Sequence, residues 1–384
     1  MRVSGAIAVV LVVDLLASAA VRQALVMRNE RAAIEAELSQ EPYRETDWGR
    51  AYWEEIARYA EQWDPSVVYR VGNMHGRFIN VDAGVRRTDN PEYPGSVHRH
   101  LVFLFGGSAA WGHGARDANT LPSWLARVAA EHGEAFEVRN YAESGWVNWQ
   151  GIAYLLQKLS EGERPELVVF YSGVNETLSA RRWPHVRRPI WDAEWYSSAL
   201  HDSVIQRTRP LARTWEHYRS TSLVLSALFP PPLRIPVPPT APETIVRTVV
   251  ADYAADKEVV ERLGREYGFA TVFVWQPTIA AKPTLSAQER TYAGWLPSPP
   301  EARPGLEWWS MPQDLREMYD AIGREVVSHH GVVDLSHAFG DMAATAFIDW
   351  MHTSESGNER VARVLYDTLA PELPERKQAT RLER

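Results

Sequence analysis

Ser108 closes an apolar run in "LVFLFGGSAAWGHG" (101–114), and far downstream "FIDWMHTSESGNERVA" carries Asp349 and His352. A serine hydroxyl becomes a nucleophile when an imidazole takes its proton, and the imidazole works best when a carboxylate fixes its tautomer. Two residues between Asp349 and His352 let a single turn set the carboxylate on one ring nitrogen while the other points at the serine. Acyl chemistry also needs donors fixed in advance around the developing oxyanion. The Ser108 N–H at a helix N-terminus, the Gly145 N–H in "NYAESGW" and the Asn175 amide in "YSGVNE" are the candidates. Trp111, Trp146 and Trp350 adjoin these blocks, and Gln276 follows "ATVFVW". Most tryptophans fill cores, but aromatic faces beside a hydrolytic site suit a sugar ring, so these four are expected substrate contacts.

Such residues act together only if the fold gathers them. From His100 onward, short apolar runs alternate with amphipathic stretches, a βαβ pattern that implies a parallel sheet with helices on both faces. The expected strands are "LVFLF", "FEVRNYA", "ELVVFYSG", "ATVFVWQP" and "GVVDLSHAF". In an open parallel sheet, ligands bind beyond the carboxyl ends of the strands. Ser108, Gly145, Asn175 and Gln276 each follow a strand, and the fifth leads to Asp349 and His352. Thr120 is expected to cap a helix closed by Gly133, and "TAPE" (240–243) reads as a capping box opening a long helix that ends near Gly268. An insertion at 180–240 ends in "FPPPLRIPVPPTAP", too proline-rich for helix or central strand.

Rival motifs fail on spacing. The α/β-hydrolase elbow requires G-x-S-x-G, and "GGSAA" puts Ala110 at the last glycine. "GHG" lacks the third glycine of a dinucleotide loop and reads as part of a turn. His329 and His330 end a helix near Gly331, where they suit the dipole better than a metal, so neither metal nor cofactor is expected.

The chain has 384 residues, 45% hydrophobic and 23% charged, with a formal net charge of -8 and no cysteine. That supports one generous domain with extensions, excludes thiolate chemistry and disulfides, and leaves no basic cluster for nucleic acid. Residues 1–24 are expected to be a membrane anchor or a cleaved signal segment. Val3 to Val21 is nearly continuous apolar sequence of spanning length, interrupted by Asp14, whose central charge costs about 2.5–3.5 kcal/mol against about 0.3–0.6 returned by each Leu, Ile or Val. Residues 25–99 read as a helical and strand extension, 100–372 as the main domain and 373–384 as a polar tail. No oligomeric state follows from the sequence.

These blocks resemble those of the SGNH, or GDSL-type, hydrolase family: "FGGSAAWG" the first with Ser108, "NYAESGW" the second with Gly145, "YSGVNE" the third with Asn175, and "DWMH" the last with Asp349 and His352. One departure is visible, since Gly107 stands where the first block usually has Asp. "NVDAGVRRT" and "DLSHAF" are similar to segments of bacterial envelope-anchored relatives. The resemblance implies a flavodoxin-like three-layer αβα sandwich, which with the residue patterns above gives an expected fold of a mainly parallel five-stranded sheet plus the N-terminal membrane helix and small extension. It implies a serine esterase, or an O-acyltransferase of the same chemistry, and the aromatic faces beside the blocks make acyl groups, acetyl foremost, of an envelope polysaccharide the expected substrate. The enzyme would face the extracytoplasmic side, membrane-anchored or secreted. A lipid-directed esterase and an inactive assembly protein of the same fold are the alternatives.

Overall fold

The computed structural model describes residues 2–95, 97–182, 218, 221–228, 241–293 and 313–373. It divides into two compact units, Met1–Glu37 with Asp192–Pro239, and Leu38–Trp191 with Thr240–Arg384. Most of the insertion expected at 180–240, with its proline-rich end, and the tail after 373 lie outside the described residues.

Helices α1 (Arg2–Leu38), α2 (Glu41–Arg44) and α3 (Gly49–Ile56) open the chain, followed by short strands β1 (Glu61–Asp64), β2 (Val68–Val71), β3 (Met74–His75), β4 (Asn80–Asp82) and β5 (Val85–Arg86). Then come β6 (His100–Gly106), α4 (Ser108–Trp111), α5 (Leu121–Glu131), β7 (Phe136–Asn140), α6 (Asn148–Ser160), β8 (Leu167–Ser172) and α7 (Val174–Arg182). After α8 (Leu223–Leu228), the chain continues through α9 (Pro242–Tyr267), β9 (Ala270–Trp275), α10 (Ala287–Ala293), α11 (Gln313–His330), β10 (Val333–Asp334) and α12 (Glu355–Leu369).

All five expected strands form, and β10-β9-β8-β6-β7 run parallel. In chain order the first of these lies between the second and the third, the flavodoxin-like arrangement, whose switch point lies at β6 and β8. The sheet is wider than expected. Antiparallel β5, β4 and β3 extend it beyond β7 to eight strands, so the extension at 25–99 contributes to the sheet of the main unit. The last parallel strand is also shorter than its apolar run, only Val333–Asp334.

Alternation along each strand sends side chains to both faces. Phe105, Phe170 and Phe273 occupy matched registers and stack across three strands, with ring centroids 5.0 Å and 4.6 Å apart. Gly151 of α6 lies over Phe105 and Phe170. On the other face Phe136 packs on Tyr366 of α12, which lies beside α5. Fully burying one such aromatic or aliphatic side chain contributes about 1.5–3 kcal/mol, which is why central strands read as unbroken apolar runs.

Helix ends follow local chemistry. Thr120 accepts the Ser123 N–H at 3.4 Å, and Gly133 and Gly268 adopt positive φ after α5 and α9. Thr240, the expected start of a capping box, lies outside the described residues; the N-cap of α9 is Ala241, and Pro242 begins the helix without needing an N–H partner.

Within the first unit, Asp14 accepts the Tyr218 hydroxyl at 3.2 Å and the Ser18 hydroxyl at 3.4 Å, and Arg22 donates to the Thr221 carbonyl at 3.2 Å. The charge that interrupts the apolar N-terminal run therefore has hydroxyl partners. Val12, Val13, Leu16 and Leu25 of α1 are exposed. Among the described residues, no helix is long and apolar enough to cross a membrane.

Candidate active site

Strand β6 delivers Ser108 to the carboxyl edge of the sheet. Gly107 is extended and caps α4, so Ser108 becomes the first residue of a single helical turn. The Gly112 and His113 N–H groups donate to the Ser108 carbonyl at 2.9 Å and 3.0 Å, which closes that turn and fixes the serine backbone.

Asp349 and His352 sit in a turn closed by an antiparallel bridge between Phe347 and Thr353 and by the Ile348 N–H donating to the His352 carbonyl at 3.0 Å. Immediately afterwards Ser354 caps α12, accepting the Gly357 N–H at 3.2 Å. The helix buries Val361, Ala362, Leu365, Tyr366 and Leu369 on one face, which anchors the turn from behind.

The relay is formed. Ser108 Oγ lies 2.6 Å from His352 Nε2, and His352 Nδ1 lies 2.5 Å from Asp349 Oδ2. Asp349 Oδ1 accepts the N–H groups of Met351 and His352, each at 2.7 Å. Burial raises the Asp349 pKa, but the charge of His352 and these hydrogen bonds outweigh it and hold the carboxyl below the ordinary range. An ionised Asp349 accepts a hydrogen bond from Nδ1–H, which fixes the tautomer that leaves Nε2 with a lone pair facing Ser108.

Asn175 joins the other two blocks. Its Nδ2 donates to the Trp146 carbonyl at 2.7 Å, next to Gly145, and lies so close to Gly107 that a Cβ there would sit 2.2 Å away. One amide hydrogen is thus committed and the other remains for an oxyanion. Gly145 has φ 71°, a backbone that glycine adopts without strain. The Asn175 amide thus links the loop after Gly145 to the backbone at Gly107, beside Ser108.

Two carboxylates, Glu143 buried and Glu176 half-buried, hold the loops that carry these donors. Glu143 accepts the Tyr59 hydroxyl at 2.7 Å and the N–H groups of Val71 and Ser144 at 2.8 Å and 2.9 Å. Glu176 accepts the N–H groups of Gly173 and Asn148 at 2.7 Å and 2.9 Å, and burial pushes its pKa up to about 7. Neither carboxylate is evident from spacing alone.

His113, read from sequence as part of a turn, packs its ring 4.7 Å from His352. Burial first, then the neighbouring imidazole charge, push its pKa down to about 3, so it stays neutral. Tyr43 and Tyr52 brace the same loop: one hydroxyl donates to the Gly114 carbonyl at 2.7 Å and the other accepts the Gly114 N–H at 2.8 Å.

The expected substrate contacts are corrected. Trp111, Trp146 and Trp350 are 1%, 2% and 2% exposed, and Gln276 is 4% exposed. Trp111 lies 4.3 Å beneath the Arg86 guanidinium, and Trp146 donates its indole N–H to the Tyr69 carbonyl at 3.1 Å. The Gln276 carbonyl accepts the Tyr319 hydroxyl at 2.6 Å. Burial occupies these rings with packing, so none presents a face to a sugar.

No family model matches the chain, and no curated protein does. Solved structures do. A lipase/acylhydrolase from Enterococcus faecalis is 14% identical, covering 71% of this chain and 97% of that one, with a TM-score of 0.38. The acetyl xylan esterase AlAXEase is 12% identical over 70% of this chain and 99% of that one, with a TM-score of 0.36. A lipolytic G-D-S-L family member from Veillonella parvula is 11% identical over 71% and 99%, with a TM-score of 0.35. The solved structures this chain is similar to thus include lipolytic hydrolases of the GDSL, or SGNH, type, at low identity.

Proposed function

We propose that the chain is a serine esterase of the SGNH type that removes or transfers O-acyl groups, acetyl foremost, on a cell-envelope polysaccharide. The observation that carries the serine-esterase part of this reading is the unbroken relay from Ser108 Oγ through His352 to Asp349, at 2.6 Å and 2.5 Å, while the polysaccharide substrate is the part the turnover experiment below decides. Ser108 Oγ attacks the ester carbonyl as His352 Nε2 takes its proton. The oxyanion is received by the Ser108 and Gly145 N–H groups and the Asn175 amide. Collapse expels the alcohol, which takes the proton back from His352 and leaves an acyl-serine. Water or a sugar hydroxyl, deprotonated by the same imidazole, then attacks the acyl-serine and releases the acyl group from Ser108.

The complete relay favours an active enzyme over an inactive assembly protein. Exposed apolar side chains along α1, among them Val12, Val13 and Leu16, support contact of the N-terminal segment with a membrane surface. A second reading, a lipid-directed esterase, is favoured by Val224 and Leu228 of α8, which are 57% and 65% exposed.

Turnover of acetylated oligosaccharides and of long-chain lipid esters by wild type and Ser108→Ala, with and without sugar acceptors, separates these readings. The proposal expects serine-dependent release of acetate or its transfer to the acceptor. Serine-dependent turnover confined to lipid esters would favour the second reading, and turnover unaffected by Ser108→Ala would end both.

A further inference from the structure

We infer that the amino edge of the parallel sheet, opposite the Ser108 edge, holds a site for a divalent transition-metal ion of the zinc type, built from His98, His100 and Glu166. Their donor atoms lie within 4.8 Å of one another. Glu166 presents Oε1 to His98 Nε2 and Oε2 to His100 Nδ1, each at 2.9 Å. Two imidazoles and a carboxylate are donors that suit zinc.

The backbone holds the buried part of this set in place. His100 begins β6 and is 5% exposed as a side chain, and its N–H donates to the Ala135 carbonyl at 2.8 Å. Glu166 immediately precedes β8, and its N–H donates to the Leu101 carbonyl at 2.8 Å. Only His98, whose side chain is 62% exposed, has freedom to adjust. Zinc bonds imidazole and carboxylate at about 2.0–2.2 Å, so a small movement of that side chain closes the set around an ion.

The hydrogen-bond inventory also points to a cation. His100 Nε2 faces Glu134 Oε2 at 3.5 Å while Nδ1 faces Glu166. A neutral imidazole has one N–H and one lone pair, so it can donate to only one of these carboxylates. In one tautomer Nδ1–H donates to Glu166; in the other, with the N–H directed at Glu134, the Nδ1 lone pair is left to bind a cation beside the Glu166 carboxylate. Glu134 then occupies the outer position from which a carboxylate orients a ligating histidine. The ion would tie the start of β6 to the start of β8, stabilising the sheet without touching the nucleophile.

The test titrates zinc chloride into the full chain, carrying no histidine tag and stripped with chelator, by calorimetry, and follows thermal unfolding in parallel. The inference expects one equivalent bound and a rise in Tm, since a ligand that binds the folded state stabilises it. His98→Ala should remove the rise and weaken binding at least about tenfold, and Glu134→Gln should weaken it by about 10–100-fold. Ester turnover should be the same in His98→Ala as in wild type. No binding by wild type would overturn the site, as would zinc binding unchanged in both variants. In the first case the cluster is a metal-free histidine–carboxylate clamp; in the second the ion sits elsewhere.

Discussion

Gly107 and the Asn175 amide share one space: a Cβ on Gly107 would lie 2.2 Å from Asn175 Nδ2. Glycine at 107 is therefore what lets the Asn175 amide, the proposed oxyanion donor, stand beside the backbone that carries Ser108. Gly107→Ala should push the amide away and lower kcat on a short acetyl ester by roughly 10–100-fold, less than complete loss of an oxyanion donor. Combined with Asn175→Ala it should cost little more than the larger single effect, because both act on one donor. Steady-state kinetics of the two variants and their combination measure this, and full additivity would argue against it.

Asn175→Ala alone removes a donor that matters in the transition state more than in the ground state. We expect kcat to fall by about 10²–10³, or roughly 2.7–4 kcal/mol, with KM nearly unchanged. A change confined to KM would move Asn175 from oxyanion stabilisation to substrate binding.

Asp349→Asn should keep the fold, yet lower kcat by about 10⁴, because an amide in place of the carboxylate allows the wrong imidazole tautomer. The kcat/KM of the wild type should fall on the acid side as His352 takes a proton and ceases to act as a base. Asp349 is held ionised and His113 neutral, so neither accounts for that limb. A pH–rate profile of the wild type and His113→Asn checks the assignment: the acid limb should remain where it is in both.

The parallel strands and the relay were legible because their signals are local. Unbroken apolar runs such as Leu167–Ser172 mark strands buried on both faces, and the strand-end rule then selects Ser108, Gly145 and Asn175. The antiparallel β3, β4 and β5 are two or three residues long, too short for alternation to register. The tryptophans misled for a related reason. Position beside a catalytic block does not reveal direction, and Trp111 and Trp146 turn inward to Arg86 and the Tyr69 carbonyl. Glu143 and Glu176 were missed because a carboxylate that binds backbone N–H groups in a distant loop leaves no periodic trace.

Glu176 predicts a pH-dependent stability. Its folded pKa is raised from 4.5 to about 7, so between those values the folded state binds more protons than the unfolded chain. Stability contributed by this group is full below about 4.5 and is lost as pH rises through about 7, by about 3 kcal/mol in all. Glu176→Gln does not titrate. The unfolding free energy of wild type minus that of the variant should therefore decline across that window and level off above it. A difference that stays flat or rises would contradict the assignment.

Covalent capture of the nucleophile tests the central claim most directly. A fluorophosphonate probe, read by peptide mass spectrometry, should modify Ser108 stoichiometrically in the wild type, more slowly in His352→Ala, and not at all in Ser108→Ala. Ester turnover by Ser108→Ala should fall by at least about 10⁴-fold. Labelling at another residue, or an alanine variant that hydrolyses esters as well as the wild type, would contradict the account.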